Sequence, residues 1–312
     1  MSRFRTIFLG TPDFAVPSLQ AIIEDSHFEL LAVVTQPDRP AGRSMRLTPS
    51  PVRVVAEQHG VPVWTPESVN DSEVLERIRE LRPETAVVVA YGQILKPEFL
   101  DIFPKKAVNL HASLLPRWRG AAPIQRALTE GDAESGVALQ VIVPALDAGP
   151  VIGVRKMAIP SDMKADALYE KLKNMGPDLL KVDFLDYLRG QITPVEQDAS
   201  LKTIAKKIKK EEGLVRWSQE CDRIYNQFRG LYLWPGTWTL REGRILKIKS
   251  CRPRPELASG QPGDVISTQG GTLVVRCGTG ALEIFEVQPE SRGVMTVADY
   301  LKGYSAPSSF SE

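Results

Sequence analysis

The chain of 312 residues is poor in the residue types from which metal sites and disulfide frameworks are built. It has three histidines and three cysteines, and the cysteines (Cys221, Cys251 and Cys277) are odd in number and lack C-x-x-C spacing. Such a set indicates neither a disulfide framework nor a zinc site. We therefore expect reduced thiols and no metal ion.

Long apolar runs are also missing. No run approaches the roughly 18 residues that a membrane span requires, and the N-terminal run 6–10 is too short for a signal peptide. We therefore expect a cytoplasmic protein without membrane contact, and we take it to be a monomer. The composition, 43% hydrophobic and 25% charged, is that of an ordinary globular protein, and the length predicts two domains.

Glycine is absent where a dinucleotide site needs it. A strand predicted at 4–9 runs into the turn Gly10–Asp13, where Thr11 suits a helix N-cap and Pro12 the first helical position. This turn lacks the second and third glycines of the G-x-G-x-x-G fingerprint. A dinucleotide cofactor is therefore disfavoured despite the Rossmann-like start.

Strands and helices alternate through the first part of the chain. This alternation predicts an α/β fold with a Rossmann-like, doubly wound and mostly parallel sheet. Further strands are expected at 30–35, 61–64, 85–90, 136–143 and 151–159, and another strand is expected to end at 109–111. The further helices are expected at 51–59, 71–81, 123–130 and 165–188.

The last third of the chain has a different pattern. Short strands separated by glycine and proline turns predict a C-terminal five-stranded OB-like β-barrel, a fold that often binds nucleic acid. Residues 202–256 hold 14 Lys/Arg against 6 Asp/Glu, which is typical of a polyanion-binding surface, although a solvated charged face would look the same. We predict a first domain at 1–189, a linker at 190–204 and a basic domain at 205–312, with its helix near 218–228 and strands at 237–240, 245–250, 264–267, 272–276 and 281–287.

Three polar residues form the candidate site. Asn109 and His111 lie two residues apart at the end of a strand, so both side chains point the same way, at the edge where open α/β sheets hold their ligands. Asp147 lies on a loop at another strand end. Singly, His111 is equally compatible with a core histidine and Asp147 with a turn residue, but together they indicate an active site. His27 and His59 are expected to be capping or surface residues.

The stretch 109–125, N-L-H-A-S-L-L-P-R-W-R-G-A-A-P-I-Q, resembles the signature of the methionyl-tRNA formyltransferase family. The similarity extends to 10–14, 35–43 and 87–92 and to the order of the domains. Glycinamide ribonucleotide formyltransferases share the N-x-H and S-L-L-P core but lack the basic domain. One departure is Ala148, which stands where the family usually has threonine, beside the retained Asp147.

The resemblance implies transfer of a formyl group from 10-formyltetrahydrofolate to the methionine amino group of initiator Met-tRNA, with Asn109, His111 and Asp147 as catalytic residues. These residues meet the physical need of the reaction, because a tetrahedral intermediate requires donors at its oxyanion. Asn109 offers an amide N–H, His111 a charged donor when protonated, and a carboxylate such as Asp147 favours the charged imidazole. Without a G-x-S-x-G elbow or a nearby cysteine, we expect direct transfer rather than covalent catalysis.

The resemblance also implies two binding regions. The folate site is expected to comprise Ser113, Leu114, Leu115 and Pro116, with Val89, Tyr91 and Gly92. A plain core role remains the alternative for Leu114 and Leu115. The resemblance gives Arg43 and Lys207 as tRNA contacts, and the neighbouring Lys206, Lys209 and Lys210 of the basic segment are further candidates for phosphate contacts. A mobile solvent loop is the alternative for the loop that carries Arg43. The competing interpretations of the whole chain are a formyltransferase acting on a small amine such as a nucleotide sugar, and an RNA-binding protein with a dead catalytic domain.

Overall fold

Strand β1 (Phe4–Gly10) runs through the middle of a seven-stranded sheet in a computed structural model that describes residues 3–41, 46–257 and 259–311. Its residues Ile7, Phe8 and Leu9 are fully buried. A strand in a parallel sheet is covered on both faces, which is why it reads as an apolar run. The sheet also contains β2 (Phe28–Val34), β5 (Val63–Trp64), β6 (Thr85–Val89), β7 (Ala107–His111), β9 (Glu134–Val141) and β10 (Val151–Ala158); the short strands outside it are β3 (Arg39–Ala41), β4 (Arg46–Thr48), β8 (Arg119–Gly120) and β11 (Ile204–Ala205).

The strand order is β10-β9-β7-β6-β1-β2-β5. The five strands from β7 to β5 are parallel, whereas β9 pairs antiparallel with β7, and β10 pairs antiparallel with β9. This arrangement confirms the predicted mostly parallel sheet. Because the parallel strands end at one edge, Gly10 lies beside Val89, and Val88 lies beside Asn109.

The first turn after β1 differs from the prediction. A 3-10 turn, Asp13–Ala15, precedes helix α1 (Val16–Glu24), and its N-cap is Pro12 rather than Thr11. The Thr11 hydroxyl instead donates to the carbonyl of Tyr91 at 3.0 Å. Because the Thr11 hydroxyl bonds the Tyr91 carbonyl, it does not cap the helix. The bond joins the loops that follow β1 and β6.

The predicted long helix at 165–188 is present but changes its winding. Pro177 lies inside it, three residues before a π-helical turn, Leu180–Phe184. Proline has no N–H to donate, and π turns are found where the regular bonding of a helix is disturbed. The long helix consists of α6 (Ala165–Leu179), the π turn and α7 (Leu185–Leu188). The other helices between α1 and the long helix are α2 (Pro51–Gln58), α3 (Ser72–Glu80), α4 (Pro97–Leu100) and α5 (Pro123–Thr129).

The long loop after β2 contains a small hairpin in which β3 and β4 pair antiparallel. Arg43 falls between these strands, in the stretch 42–45 that lies outside the described residues. Among the helices of the described ranges, none combines the length and the apolar composition needed to cross a membrane.

The C-terminal sheet confirms the OB-like prediction and adds two elements to it. Its strand order is β12-β13-β16-β15-β14, with β17 attached to β16. Ser311 bridges Leu240 at one end of this order, and Ser309 bridges Asp264 at the other, so the last residues span the open side of the curled sheet. The elements are α8 (Cys221–Gly230), β12 (Thr237–Arg241), β13 (Arg244–Arg254), β14 (Val265–Ser267), β15 (Leu273–Arg276), β16 (Ala281–Pro289), and the unpredicted β17 (Met295–Thr296) and α9 (Val297–Gly303).

The three cysteines are free and buried, as predicted for reduced thiols. They pack in the apolar interior of this sheet with Trp217 and Phe228. Burial raises the pKa of Cys277 to about 12, so that thiol is protonated at neutral pH. The cysteines therefore behave as small core residues.

The chain divides into two compact units. The first comprises Met1–Pro123, Glu134–Ala158 and Tyr169–Ala205, and the second comprises Ile124–Ala133, Ile159–Leu168 and Lys206–Glu312. The second unit thus includes two segments that interrupt the first unit along the chain. The four predicted lysines lie in Lys206–Lys210, called here the lysine segment, which begins directly after β11.

Candidate active site

Asn109 and His111 lie on β7 at the carboxyl-terminal edge of the parallel sheet. In the antiparallel pairing with β9, Asn109 stands opposite Gln140, and His111 stands opposite Ala138. Because side chains alternate along a strand and directly opposed residues share a face, Asn109, His111 and Gln140 project from the same face. His111 is buried and Asn109 is half-buried, so the edge presents a carboxamide beside an imidazole.

The His111 ring has a fixed orientation. Its Nε2 lies 2.9 Å from the carbonyl oxygen of Trp118, and a carbonyl can only accept, so Nε2 carries a hydrogen. Its Nδ1 faces Asp147, with Oδ2 at 3.8 Å. This separation exceeds a direct hydrogen bond but is within ion-pair range. Nδ1 is therefore the nitrogen at which the ring can gain or lose a proton beside the carboxylate.

The Asp147 carboxylate is held by two N–H donors. Its Oδ2 accepts from the backbone N–H of Gly120 at 2.8 Å, and its Oδ1 accepts from the Gln140 side chain at 3.2 Å. Gly120 has φ 117°, and a Cβ there would lie 2.9 Å from the carbonyl oxygen of Ala205. Glycine is thus required at 120 for its N–H to reach the carboxylate.

Gln197, which sequence reasoning missed, holds the Asp147 loop in place by hydrogen bonds. Gln197 donates through Nε2 to the carbonyls of Asp147 at 2.9 Å and Gly149 at 2.7 Å, and the same nitrogen lies 3.2 Å from Oε1 of Gln140. Its own Oε1 accepts from Nε and Nη2 of the buried Arg119, at 3.0 Å and 2.8 Å. We call this set the Arg119–Gln197–Gln140 brace. A glutamine in a polar segment carries no periodic signal, so nothing in the sequence pointed to it.

The segment predicted to be a linker, 190–204, is hydrogen-bonded to the site. Thr203 accepts from the backbone of Trp118 through its hydroxyl at 2.8 Å and from the backbone of Arg119 through its carbonyl at 2.9 Å. Strand β11 then pairs in parallel with β8. These bonds fix the loop that follows β7, which includes the Trp118 carbonyl that orients His111.

The predicted folate residues after β7 form a turn. The Ser113 hydroxyl donates to the carbonyl of Arg117 at 2.7 Å and is buried, so it is used within the turn itself. Leu114, Leu115 and Pro116 remain partly exposed. The turn therefore offers accessible apolar surface next to β7.

The predicted folate residues after β6 differ in exposure. Val89 is buried in the sheet, and the Tyr91 side chain packs in the core with Phe99. Burial raises the pKa of Tyr91, and its hydroxyl has no hydrogen-bond partner among the described residues. Gly92 and the neighbouring Ala90 are exposed, so these two small residues contribute accessible surface at this strand end.

Three loops around the site contain non-glycine residues with positive φ. These are Ala90 at 48°, Trp118 at 63° and Asp147 at 46°. Such conformations cost of order 1–3 kcal/mol each and persist where the surroundings enforce them, which is common at functional sites. The hydrogen bonds to Trp118 and Asp147 described above provide that enforcement.

The four lysines predicted to contact tRNA lie in the second unit. Lys206, Lys207, Lys209 and Lys210 are all exposed, whereas Ile208 between them is buried. The carbonyl of Lys206 accepts two bonds from the Arg126 guanidinium, at 3.1 Å and 3.0 Å. The backbone of this segment is thus anchored while its charged side chains face solvent.

Comparisons with known proteins agree with this arrangement. Residues 4–182 match the formyl transferase family and residues 207–305 the formyl transferase C-terminal domain. The chain is 48% identical to a methionyl-tRNA formyltransferase of Bdellovibrio bacteriovorus, covering 98% of this chain and 97% of that one, and 46% identical to one of Moorella thermoacetica, covering 96% of each. A solved N-formyltransferase of Helicobacter canadensis in complex with folinic acid and dTDP-3-aminofucose has the same fold, with a TM-score of 0.70 at 19% identity over 92% of this chain and 99% of that one. The predicted resemblance is confirmed: this chain belongs to the formyl transferase family, among the members named methionyl-tRNA formyltransferase.

Proposed function

We propose that the chain transfers the formyl group of 10-formyltetrahydrofolate to the amino group of methionine on initiator Met-tRNA. The observation that carries this proposal is the buried His111, whose Nδ1 faces Asp147 beside Asn109 at the sheet edge. The chain that holds this site is 48% identical to a protein named methionyl-tRNA formyltransferase. We also propose that it works as a monomer in the cytoplasm.

In the proposed reaction the amine nitrogen attacks the formyl carbon, and the electron pair of the C=O bond moves to oxygen. We assign the donor to this oxyanion to the side-chain amide of Asn109, which has no hydrogen-bond partner among the described residues. Collapse of the intermediate restores the C=O bond and breaks the bond to N10 of the folate. The amine loses one proton and N10 gains one, and His111 Nδ1, paired with Asp147, is the group that we assign to this transfer.

The folate is proposed to bind where the turn at 113–116 meets the loop 90–92. A pterin needs hydrogen bonds along its edge and packing against its faces. The partly exposed Leu114 and Leu115 suit the faces, and the exposed small residues Ala90 and Gly92 are assigned to the edge, through their backbone groups. Ala148, in place of the usual threonine, leaves Asp147 its two donors from Gly120 and Gln140, so we expect the reaction to tolerate it.

The proposal is tested by following a labelled formyl group. We expect transfer from 10-formyltetrahydrofolate to Met-tRNA and none to a nucleotide amino sugar. Transfer to the small amine alone would favour the sugar enzyme, and binding of tRNA without any transfer would favour a catalytically dead RNA-binding protein. Sedimentation of the purified chain tests the monomer.

Gln197→Ala is expected to lower kcat by about tenfold or more while leaving the KM for folate nearly unchanged. The change removes both bonds to the Asp147 loop and leaves Arg119 without its acceptor. A displacement of a reacting group by about 1 Å can cost on the order of 10² in rate. Steady-state kinetics of the purified variant would measure the effect.

Gln191→Ala, an exposed glutamine in the same segment, is the matched control. Gln197→Glu keeps the acceptor for Arg119 but loses the donors to the two carbonyls, so it should also be slow. If Gln197→Ala retained full kcat, the brace would have no part in placing Asp147.

The exposed lysines are proposed to contact phosphates of the tRNA. Each contact to duplex nucleic acid contributes about 0.9 to the slope of log K against log salt. Lys207→Gln is therefore expected to reduce that slope by about one, and replacing Lys206, Lys207, Lys209 and Lys210 together by up to about four. Lys96→Gln, an exposed lysine of the first unit, is the control. An unchanged slope in the fourfold variant would contradict these contacts.

Arg43 remains a proposed contact to the acceptor end of the tRNA. The proposal rests on the resemblance alone, because 42–45 lie outside the described residues.

A further inference from the structure

The turn between α8 and β12 exposes two large apolar side chains. Leu233 is 63% exposed and Trp234 is 55% exposed. Isolated apolar residues are common on protein surfaces, but an indole offers a wide rigid face that is well suited to binding.

The surroundings of this turn are basic. The residues that line a groove beside it include Tyr232, Leu233 and Pro235, which flank Trp234 in the sequence, and Lys247 and Lys249 of β13. Lys164 Nζ lies 4.3 Å from the centroid of the Tyr232 ring. Among the described residues, no carboxylate lines the groove. The combination of ammonium groups and aromatic faces suits a partner that carries both negative charge and flat rings.

The turn is also continuous with the lysine segment. The backbone of Gly213 packs so closely on the turn that a Cβ there would lie 2.3 Å from the carbonyl oxygen of Gly236. Val215 donates from its backbone to the carbonyl of Trp238 at 2.8 Å. The exposed Lys209 and Lys210 therefore come directly before a stretch that runs along the turn of Trp234, within the second unit.

We propose that Trp234 is a stacking platform for an unpaired base of the bound tRNA, and that Lys247 and Lys249 neutralise the adjoining phosphates. This inference rests on the proposed function and specifies where the second unit recognises its substrate. Single-stranded nucleic acid is commonly bound in this way, by aromatic stacking beside a positive groove, with little dependence on base identity. Base faces are accessible only where the RNA is unpaired, so the occupant is a loop or an end of the tRNA rather than its duplex stems.

The test compares Trp234→Ala, Trp234→Phe and Leu233→Ala in tRNA binding and in formyl transfer. Loss of a stacked base weakens binding by about fivefold to a hundredfold, so Trp234→Ala should raise the Kd and the KM for Met-tRNA within that range. Trp234→Phe retains an aromatic face and should remain within about threefold of the unsubstituted chain. Leu233→Ala, the equally exposed neighbour, should weaken binding less than Trp234→Ala does, because it removes a groove contact but no stacked ring. The folate KM and the melting temperature should not change in any of the three.

Tryptophan fluorescence supplies a second measurement. Titration with tRNA should quench the unsubstituted chain more than Trp234→Phe, because a stacked indole is quenched by the base above it. Equal quenching in both, or tRNA binding by Trp234→Ala at full affinity, would overturn the platform. An equal loss in Leu233→Ala would overturn it in favour of a general apolar contact, and concentration-dependent dimers broken by Trp234→Ala would overturn it in favour of self-association. The unsubstituted chain tests the proposed function separately, because its own transfer to Met-tRNA does not depend on the result for the variants.

Discussion

Asn109→Ala is expected to lower kcat for formyl transfer by about 10² to 10³, the usual loss when one oxyanion donor is removed. The Asn109 amide is half-buried at the strand edge, and no described residue uses it as a donor or acceptor. Its contribution therefore falls mainly in the transition state, where the formyl oxygen becomes negative. Binding of the folate should change little. Single-turnover measurements with labelled donor and Met-tRNA would separate the chemical step from product release.

Two variants sharpen this prediction. Asn109→Asp has almost the same shape but replaces the donor by a negative charge on the face that also carries His111, so it should be at least as slow as the alanine variant. Asn174→Ala removes an exposed asparagine on α6 whose side chain donates to the carbonyl of Glu170, and it should keep full activity. A fall of less than threefold in Asn109→Ala would remove this residue from the mechanism.

Asp147→Asn is expected to reduce kcat/KM by about 10² or more. Both carboxylate oxygens accept from N–H donors, on Gly120 and Gln140. An asparagine must place its NH2 group against one of these donors, so it loses a hydrogen bond as well as the charge that faces His111 Nδ1. His111→Ala should cause a similar or larger loss because it removes the ring itself.

The double variant distinguishes a joint role from two separate ones. Residues that act as a unit are strongly non-additive, so His111→Ala with Asp147→Asn should be no slower than the worse single variant by more than a few-fold. His59→Ala, which removes an exposed ring bonded to the carbonyl of Val55 at the end of α2, serves as the control. Losses that simply multiply would show that the two residues do not work together.

The sheet was predictable because its evidence is local. The apolar runs of β1 and β6 and the turns between elements identified the strands to within a few residues, and the placement of Asn109 and His111 at a strand end followed from the same pattern. Elements with little periodicity were missed, such as strand β17, which has two residues. The predicted helix cap at Thr11 was wrong because its hydroxyl bonds the carbonyl of Tyr91, a residue distant in the sequence.

The candidate site was predictable in its reacting groups but not in its support. Asn109, His111 and Asp147 could be named from residue type, strand ends and resemblance. Gln197 could not, because it lies 50 residues from Asp147 along the chain and 78 from Arg119. Partners so far apart meet only after the sheet has formed, and their bonds leave no repeating pattern.

Residue order by itself determined which segments of this protein become strands, which segment is basic and which side chains are capable of the chemistry, since those properties depend on neighbours a few positions away. Folding alone decided which nitrogen of His111 faces Asp147, what holds that carboxylate, and that the stretch after the lysine segment packs on the turn that carries Trp234. The physical reason is that hydrogen-bond direction and side-chain exposure depend on groups brought together from distant parts of the chain, and these are set by packing rather than by sequence spacing.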